Sequence, residues 1–130
     1  MKLSEAIRMN GMMKPQGHGH MSMMSIDRPC ALGGALQIIS APQEMVELFI
    51  RWPWTVKSRH LCPACLRPDK FSIIREEFRC SAAIQGAHII WHLNDSHLWT
   101  RQQIADWVET VEPQEVAEVV SVVEEVLTHQ

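Results

Sequence analysis

A chain of 130 residues lies near the commonest size of a single domain, and 46% apolar with 21% charged residues is ordinary globular usage. This composition excludes a largely disordered chain, and no apolar run approaches the ~18 residues that a membrane helix needs. The first residues also lack the apolar core of a signal peptide. We therefore expect one soluble domain, residues 1–130, in a reducing cytoplasm and not in a membrane.

The formal net charge of −3 is unevenly distributed along the chain. Residues 51–79 carry seven lysines and arginines against three acids, whereas residues 102–130 carry seven acids and no lysine or arginine. This polarity can steer an anionic partner to the middle of the chain, or it can reflect two solvated faces that attract each other.

The first predicted element is a short amphipathic helix that Ser4 caps, with Leu3 and Ile7 on its apolar side. Residues 14–26 follow, with glycine, proline and no hydrophobic period, which predicts a flexible loop. His18 and His20 in this loop could bind a metal weakly, although such residues are common in plain loops.

A second helix is predicted over residues 30–39, with Asp27 as its cap. Gly33 and Gly34 weaken a helix by ~1 kcal/mol each relative to alanine. The usual gain from such glycines is the close approach of another backbone, and we expect one here.

Two capping-box patterns predict further helix starts. The first, Ser40 to Gln43, opens a helix that ends before Pro53, because proline disfavours helical geometry in the residue before it. The second, Thr100 to Gln103, opens the C-terminal helices over residues 101–128. Their apolar side is expected to pack on helix 30–39, and the valine-rich last helix could also form a homodimer.

Cysteine and histidine gather in residues 60–98, which we predict to be a zinc-binding region. Cys62 and Cys65 form a Cys-x-x-Cys pair in a turn, and His92 and His97 supply a second pair spaced His-x4-His. A short strand is predicted at 71–78 between the pairs. The predicted fold is therefore mainly α with a small zinc-bound β-hairpin, an α+β, zinc-finger-like arrangement.

Other ligands satisfy the same spacing rules. Cys80 is close in sequence, His60 lies two residues before Cys62, and His88 lies one helical turn before His92. Any of the three could replace one of the proposed Zn²⁺ ligands, and spacing does not separate these alternatives.

Four segments, in the order MKLSEAIR, CALGGALQ, CPAC and HLNDSHLWTRQQIADWVE, resemble a group of small proteins encoded by tailed bacteriophages and prophages. The likeness extends from residue 1 to about residue 110. In that group a Cys-Pro-x-Cys pair precedes His-Leu-Asn-Asp-x-His-x-Trp-Ser/Thr-Arg and then Ile-Ala-Asp-Trp. The resemblance implies a phage origin and zinc binding by Cys62, Cys65, His92 and His97, and it brings no activity with it.

The function expected from these features is that of a phage-encoded, zinc-stabilised protein that binds a host protein in the host cytoplasm, in host takeover or anti-defence. A second hypothesis is nucleic-acid binding, through basic residues and tryptophans that stack on bases. The candidate partner-binding residues are Trp52, Trp54, Arg59, Arg67 and Lys70.

The third hypothesis, a zinc-dependent hydrolase or nuclease, needs an open metal position and a general base such as Glu76, Glu77 or Asp95. The sequence contains no Gly-rich phosphate loop, nucleophile elbow or His-Glu-x-x-His motif. We therefore expect a binding protein without catalytic residues.

Overall fold

The computed structural model describes residues 1–42, 44–65 and 83–113. The helices and strands in these ranges are α1 (Leu3–Gly11), a 3₁₀ helix (His20–Met24), α2 (Ala31–Ile38), α3 (Met45–Arg51), α4 (Trp54–Lys57), β1 (Arg59–His60), β2 (Ile84–Gln85), α5 (Gly86–Asp95) and α6 (Arg101–Val111). The two strands form one antiparallel sheet. A mainly helical α+β fold is thereby confirmed.

The core is built around α1, which packs against both α2 and α6, while α2 and α4 contact α5. Leu3 and Ile7 of α1 are fully buried, as are Leu36 of α2 and Ile104 of α6. Helix α6 was predicted to pack on helix 30–39, but its main contact in the described part of the chain is with α1. No helix within the described ranges is long and apolar enough to cross a membrane.

The start of α1 is capped from a distance. The helix begins after Lys2, and the predicted cap, Ser4, is a buried residue within it. Both the amide and the hydroxyl of Ser4 donate to the Glu112 carboxylate at the end of α6, the amide at 3.2 Å. A carboxylate stabilises the positive, N-terminal end of a helix, so the residue at the end of α6 caps the start of α1.

The glycine pair of α2 lies where other parts of the chain approach closely. Cys30 caps this helix by accepting the Gly33 amide at 3.4 Å, so the predicted Asp27 cap is wrong. A Cβ on Gly33 would overlap the Met23 carbonyl oxygen, and one on Gly34 would overlap the Asn10 side-chain oxygen. The predicted approach of another backbone is confirmed at the first glycine.

The third helix is shorter than its sequence pattern suggested. It begins after Glu44, whereas Ser40 ends the preceding turn with a left-handed φ of 56°, so a capping box at Ser40 is wrong. The predicted end before Pro53 is confirmed. The short helix α4 that follows was not predicted.

Two predicted elements lie outside the described residues. They are the strand at 71–78 and the last C-terminal helix, whose valines were considered as core residues or as a possible dimer contact. The helix opened by the Thr100 to Gln103 capping box is confirmed, with both of its reciprocal hydrogen bonds present.

We expect Gly34→Ala to lower the free energy of unfolding by about 1–3 kcal/mol, because the added methyl group would overlap Asn10 in a packed interface. Gly11→Ala is the matched control, since its nearest contact, Arg101 Cδ, is 3.4 Å from the added carbon. That change should stay within about 0.5 kcal/mol. Urea unfolding of both variants measures the difference, and equal effects would contradict the close α1–α2 contact.

Candidate metal centre

The small sheet brings the cysteine turn to the start of α5. Arg59 pairs with Gln85, and His60 pairs with Ile84. Because Cys62 follows β1 almost directly and α5 follows β2 directly, this antiparallel pairing places the turn beside α5. The paired strands therefore bring the cysteine and histidine parts of the predicted zinc-binding region together.

The Cys62 thiol is fully buried in this turn. Burial raises the pKa of the Cys62 thiol to about 12, although the Cys65 and Ala64 amides donate to its sulfur and act in the opposite direction. The thiol is therefore protonated in the absence of a cation. A divalent cation would reverse this preference, because coordination deprotonates a thiol outright.

The end of α5 brings the two histidines to one side. Residues five apart in a continuing helix point ~140° apart at 100° per residue, so His92 and His97 could not converge there. The helix ends at Asp95, and Leu98 adopts a left-handed φ of 55°. The His97 amide still donates to the His92 carbonyl at 3.2 Å, which keeps the turn tight.

The donor atoms of the four predicted ligands lie close together. The Nε2 atoms of His92 and His97 are 3.0 Å apart, and Cys65 Sγ lies 3.3 Å from the first and 3.4 Å from the second. All four donor atoms, including that of Cys62, lie within 4.8 Å of one another. A zinc tetrahedron with Zn–S of ~2.3 Å and Zn–N of ~2.0 Å has donor separations of roughly 3.3–3.8 Å. The cluster is thus close enough to bind a metal ion.

The His92 imidazole is in the chemical form that a metal requires. Burial, with a contribution from the neighbouring His97, lowers the pKa of His92 to about 4, so this ring is neutral at pH 7. The two rings stand at 87° to each other with centroids 4.6 Å apart. Neutral imidazole is the ligand form, so His92 does not need to lose a proton before it binds a metal.

The two alternative histidines do not join this cluster. His60 lies between the rings of Trp54 and Trp107, with centroids 5.8 and 6.1 Å away. His88 is exposed on α5 and packs edge-on against Trp91. The third alternative, Cys80, lies outside the described residues.

Asn94, between the two histidines, connects α5 to two other segments. Its side chain is fully buried, and its oxygen accepts from Gln16 Nε2 at 2.7 Å and from the Ala31 amide at 3.2 Å. Its nitrogen donates to the Gly17 carbonyl at 2.9 Å and to the Asp95 carboxylate at 2.8 Å. This residue positions the histidine pair against α2 and against the predicted loop.

Arg101 completes the same junction from the first turn of α6. Its guanidinium donates to the carbonyls of Lys14, Pro15 and Pro29, the last two at 2.8 and 2.9 Å. Its amide donates to the Gln16 side chain at 3.0 Å. The segment predicted as a flexible loop therefore makes many hydrogen bonds to α5 and α6.

Sequence reasoning missed Asn94 and Arg101 as positioning residues. Turn propensity explains an asparagine near a helix end, and an arginine in a first helical turn gives no signal of burial. His18, considered as a weak metal ligand, instead places its Nδ1 at 2.7 Å from the Asn94 carbonyl oxygen. The junction becomes visible only once the chain is folded.

The candidate partner-binding residues divide into three groups. Trp52 and Trp54 are buried, with 5% and 8% exposure, so the prediction that they form an exposed stacking surface is wrong. Arg59 is exposed. Arg67 and Lys70 lie outside the described residues.

Comparisons with protein-family models, with curated proteins and with solved structures found no match. The chemistry of the cluster is therefore inferred from its own donors and from the residues that position them.

Proposed function

We propose that this chain is a small, phage-encoded, zinc-stabilised binding protein that acts on a host protein in the host cytoplasm. The observation that supports it most is the convergence of Cys62, Cys65, His92 and His97 within 4.8 Å. Two thiolates with two imidazoles are a donor set typical of structural zinc sites.

The zinc ion would act as a crosslink. It would join the turn after β1 to the end of α5, two segments separated by the residues between Cys65 and α5. A full set of four protein ligands leaves no position for a metal-bound water, which a hydrolytic site requires. This ligand count supports a binding protein over the hydrolase hypothesis.

The enzyme hypothesis also needs a free carboxylate as general base. The Asp95 carboxylate accepts the Gly19 amide at 2.9 Å and the Asn94 side-chain nitrogen at 2.8 Å. These bonds give Asp95 a positioning role at the junction. The other two candidate bases, Glu76 and Glu77, lie outside the described residues.

Exposed apolar side chains support a protein partner over a nucleic acid. They cluster in the segment from 12 to 26, where the exposed members are Met12, Met13, Met21, Met24 and Ile26. Methionine side chains are flexible and polarizable, which suits them to protein surfaces that must adapt. The tryptophans that would have stacked on bases are in the core.

The phage and host parts of the proposal depend on the resemblance of the HLNDSHLWTRQQIADWVE segment and its companions to tailed-phage proteins. Phage proteins of this size commonly act on host machinery, which is an analogy between proteins and not a physical inference.

The test is capture of partners from a lysate of the bacterium that carries the gene, with the zinc-loaded protein immobilised. We expect a specific protein to be retained after nuclease treatment and at 0.5 M salt, because an apolar interface responds little to screening. The double variant Met21→Glu/Met24→Glu should lose this protein and keep its melting temperature.

The matched control adds the same charge elsewhere, at two exposed polar positions of α6, as Gln102→Glu/Thr110→Glu. It should retain the captured protein. Retention that disappears with nuclease, or labelled DNA that binds with a steep salt dependence, would instead support the nucleic-acid hypothesis.

A further inference from the structure

Helix α3 carries an apolar face that the described part of the chain leaves exposed. Val46 and Ile50 are each 61% exposed and Phe49 is 47% exposed, whereas Leu48 is fully buried in the core. The first two are four residues apart and so lie above one another on the side opposite Leu48. Lys57 Nζ lies 4.7 Å from the centre of the Phe49 ring and covers part of it.

One edge of this face carries an ordered pair of charges. Glu47 is in the first turn of α3 and Arg51 in the last, four residues apart and hence on the same edge. Glu47 therefore precedes Arg51 along one edge of the exposed apolar face of α3.

We propose that the α3 face binds a second copy of this chain, with the two α3 helices antiparallel about a two-fold axis. In such a pair the same edge of both helices meets, and the second helix runs in reverse. Glu47 of each copy then faces Arg51 of the other, while Val46 and Ile50 pack across the axis. The Glu47 and Arg51 charges of two copies are complementary only when the helices are antiparallel and related by a two-fold axis.

The expected dimer is weak. A stable dimer buries roughly 800 Å² on each partner, and a helix of seven residues supplies only part of that area. We therefore expect a monomer at low concentration and reversible association at high concentration.

The test is sedimentation of the zinc-loaded protein between about 10 µM and about 1 mM, a range that suits a contact of this size. Wild type should change from monomer to dimer over this range. Glu47→Lys and Arg51→Glu should each remain monomeric, since each places like charges opposite one another. An equimolar mixture of the two variants should dimerise, because every charge then meets its opposite, and the double variant should dimerise alone.

Ile50→Glu should abolish association, and Ile26→Glu is the matched control, since Ile26 is an equally apolar side chain of 72% exposure outside α3. Three results would each overturn the proposal. The first is a dimer that is lost in Ile26→Glu but kept in Ile50→Glu, the second is a mixture of charge variants that does not dimerise, and the third is a wild type that stays monomeric at every concentration. Its outcome is independent of any host partner, because only this chain is present.

Discussion

Cys62→Ser should release the bound metal and lower the free energy of unfolding by about 3–4 kcal/mol, measured with free zinc at 100–1,000 times the dissociation constant. Serine keeps the size of the side chain and loses the thiolate that completes the tetrahedron. The Cys62 thiol is fully buried and belongs to the cluster with the two histidines of α5, so a shared ion would join the turn to the end of that helix. Zinc content by elemental analysis and urea unfolding measure the two effects.

Cys30→Ser is the matched control, because Cys30 is also buried but lies outside the metal cluster. Its sulfur accepts the Gly33 amide at the start of α2, a role that a serine hydroxyl can take over. This variant should keep one zinc ion per chain. Equal zinc content and equal stability in the two variants would contradict the proposed metal site.

Asn94→Ala should lower the free energy of unfolding by about 3–5 kcal/mol, with zinc still bound at saturating concentration. The change leaves the Ala31 amide and the Gly17 carbonyl without their partner in a buried junction, and it removes one of the two hydrogen bonds that Gln16 Nε2 donates. It should also weaken zinc binding by about 10- to 100-fold, the usual effect of replacing a residue that positions metal ligands. Unfolding by urea and competition with a zinc indicator measure these changes.

Asn10→Ala provides the comparison within the same residue type. Asn10 is as buried as Asn94, but its side-chain oxygen has no hydrogen-bond partner in the described part of the chain. We expect a loss of at most about 2 kcal/mol and unchanged zinc affinity. If the two alanine variants lose the same stability, the hydrogen bonds of Asn94 do not hold the junction together.

Local rules predicted much of the helical structure. The capping box before α6, the end of α3 before Pro53 and the close approach at Gly33 each depend on a few neighbouring residues. The metal cluster was also predictable, because two short spacings, Cys-x-x-Cys and His-x4-His, each bring a ligand pair together.

Long-range contacts were not predictable in the same way. The Glu112 carboxylate that caps α1 lies 108 residues from Ser4 in sequence. The burial of Trp52 depends likewise on distant parts of the chain, such as the Met1 carbonyl that accepts its indole N–H at 3.1 Å. A pattern within ten residues contains no signal of such partners.

The spacing rules also allowed His60 and His88 as ligands, and the fold places both of them outside the cluster. The sheet places His60 against two tryptophans, and the helical period carries His88 to the exposed side of α5. Both outcomes depend on where α5 and α6 lie relative to the cysteine turn. Sequence distance alone carries no information about that placement.

X-ray absorption at the zinc edge, with elemental analysis of the same purified protein, tests the metal centre most directly. We expect one zinc ion per chain with two sulfur neighbours at about 2.3 Å and two nitrogen neighbours at about 2.0 Å. Protein that contains no metal after purification in zinc-supplemented medium, or a first shell without sulfur, would contradict the convergence of Cys62, Cys65, His92 and His97 on one ion.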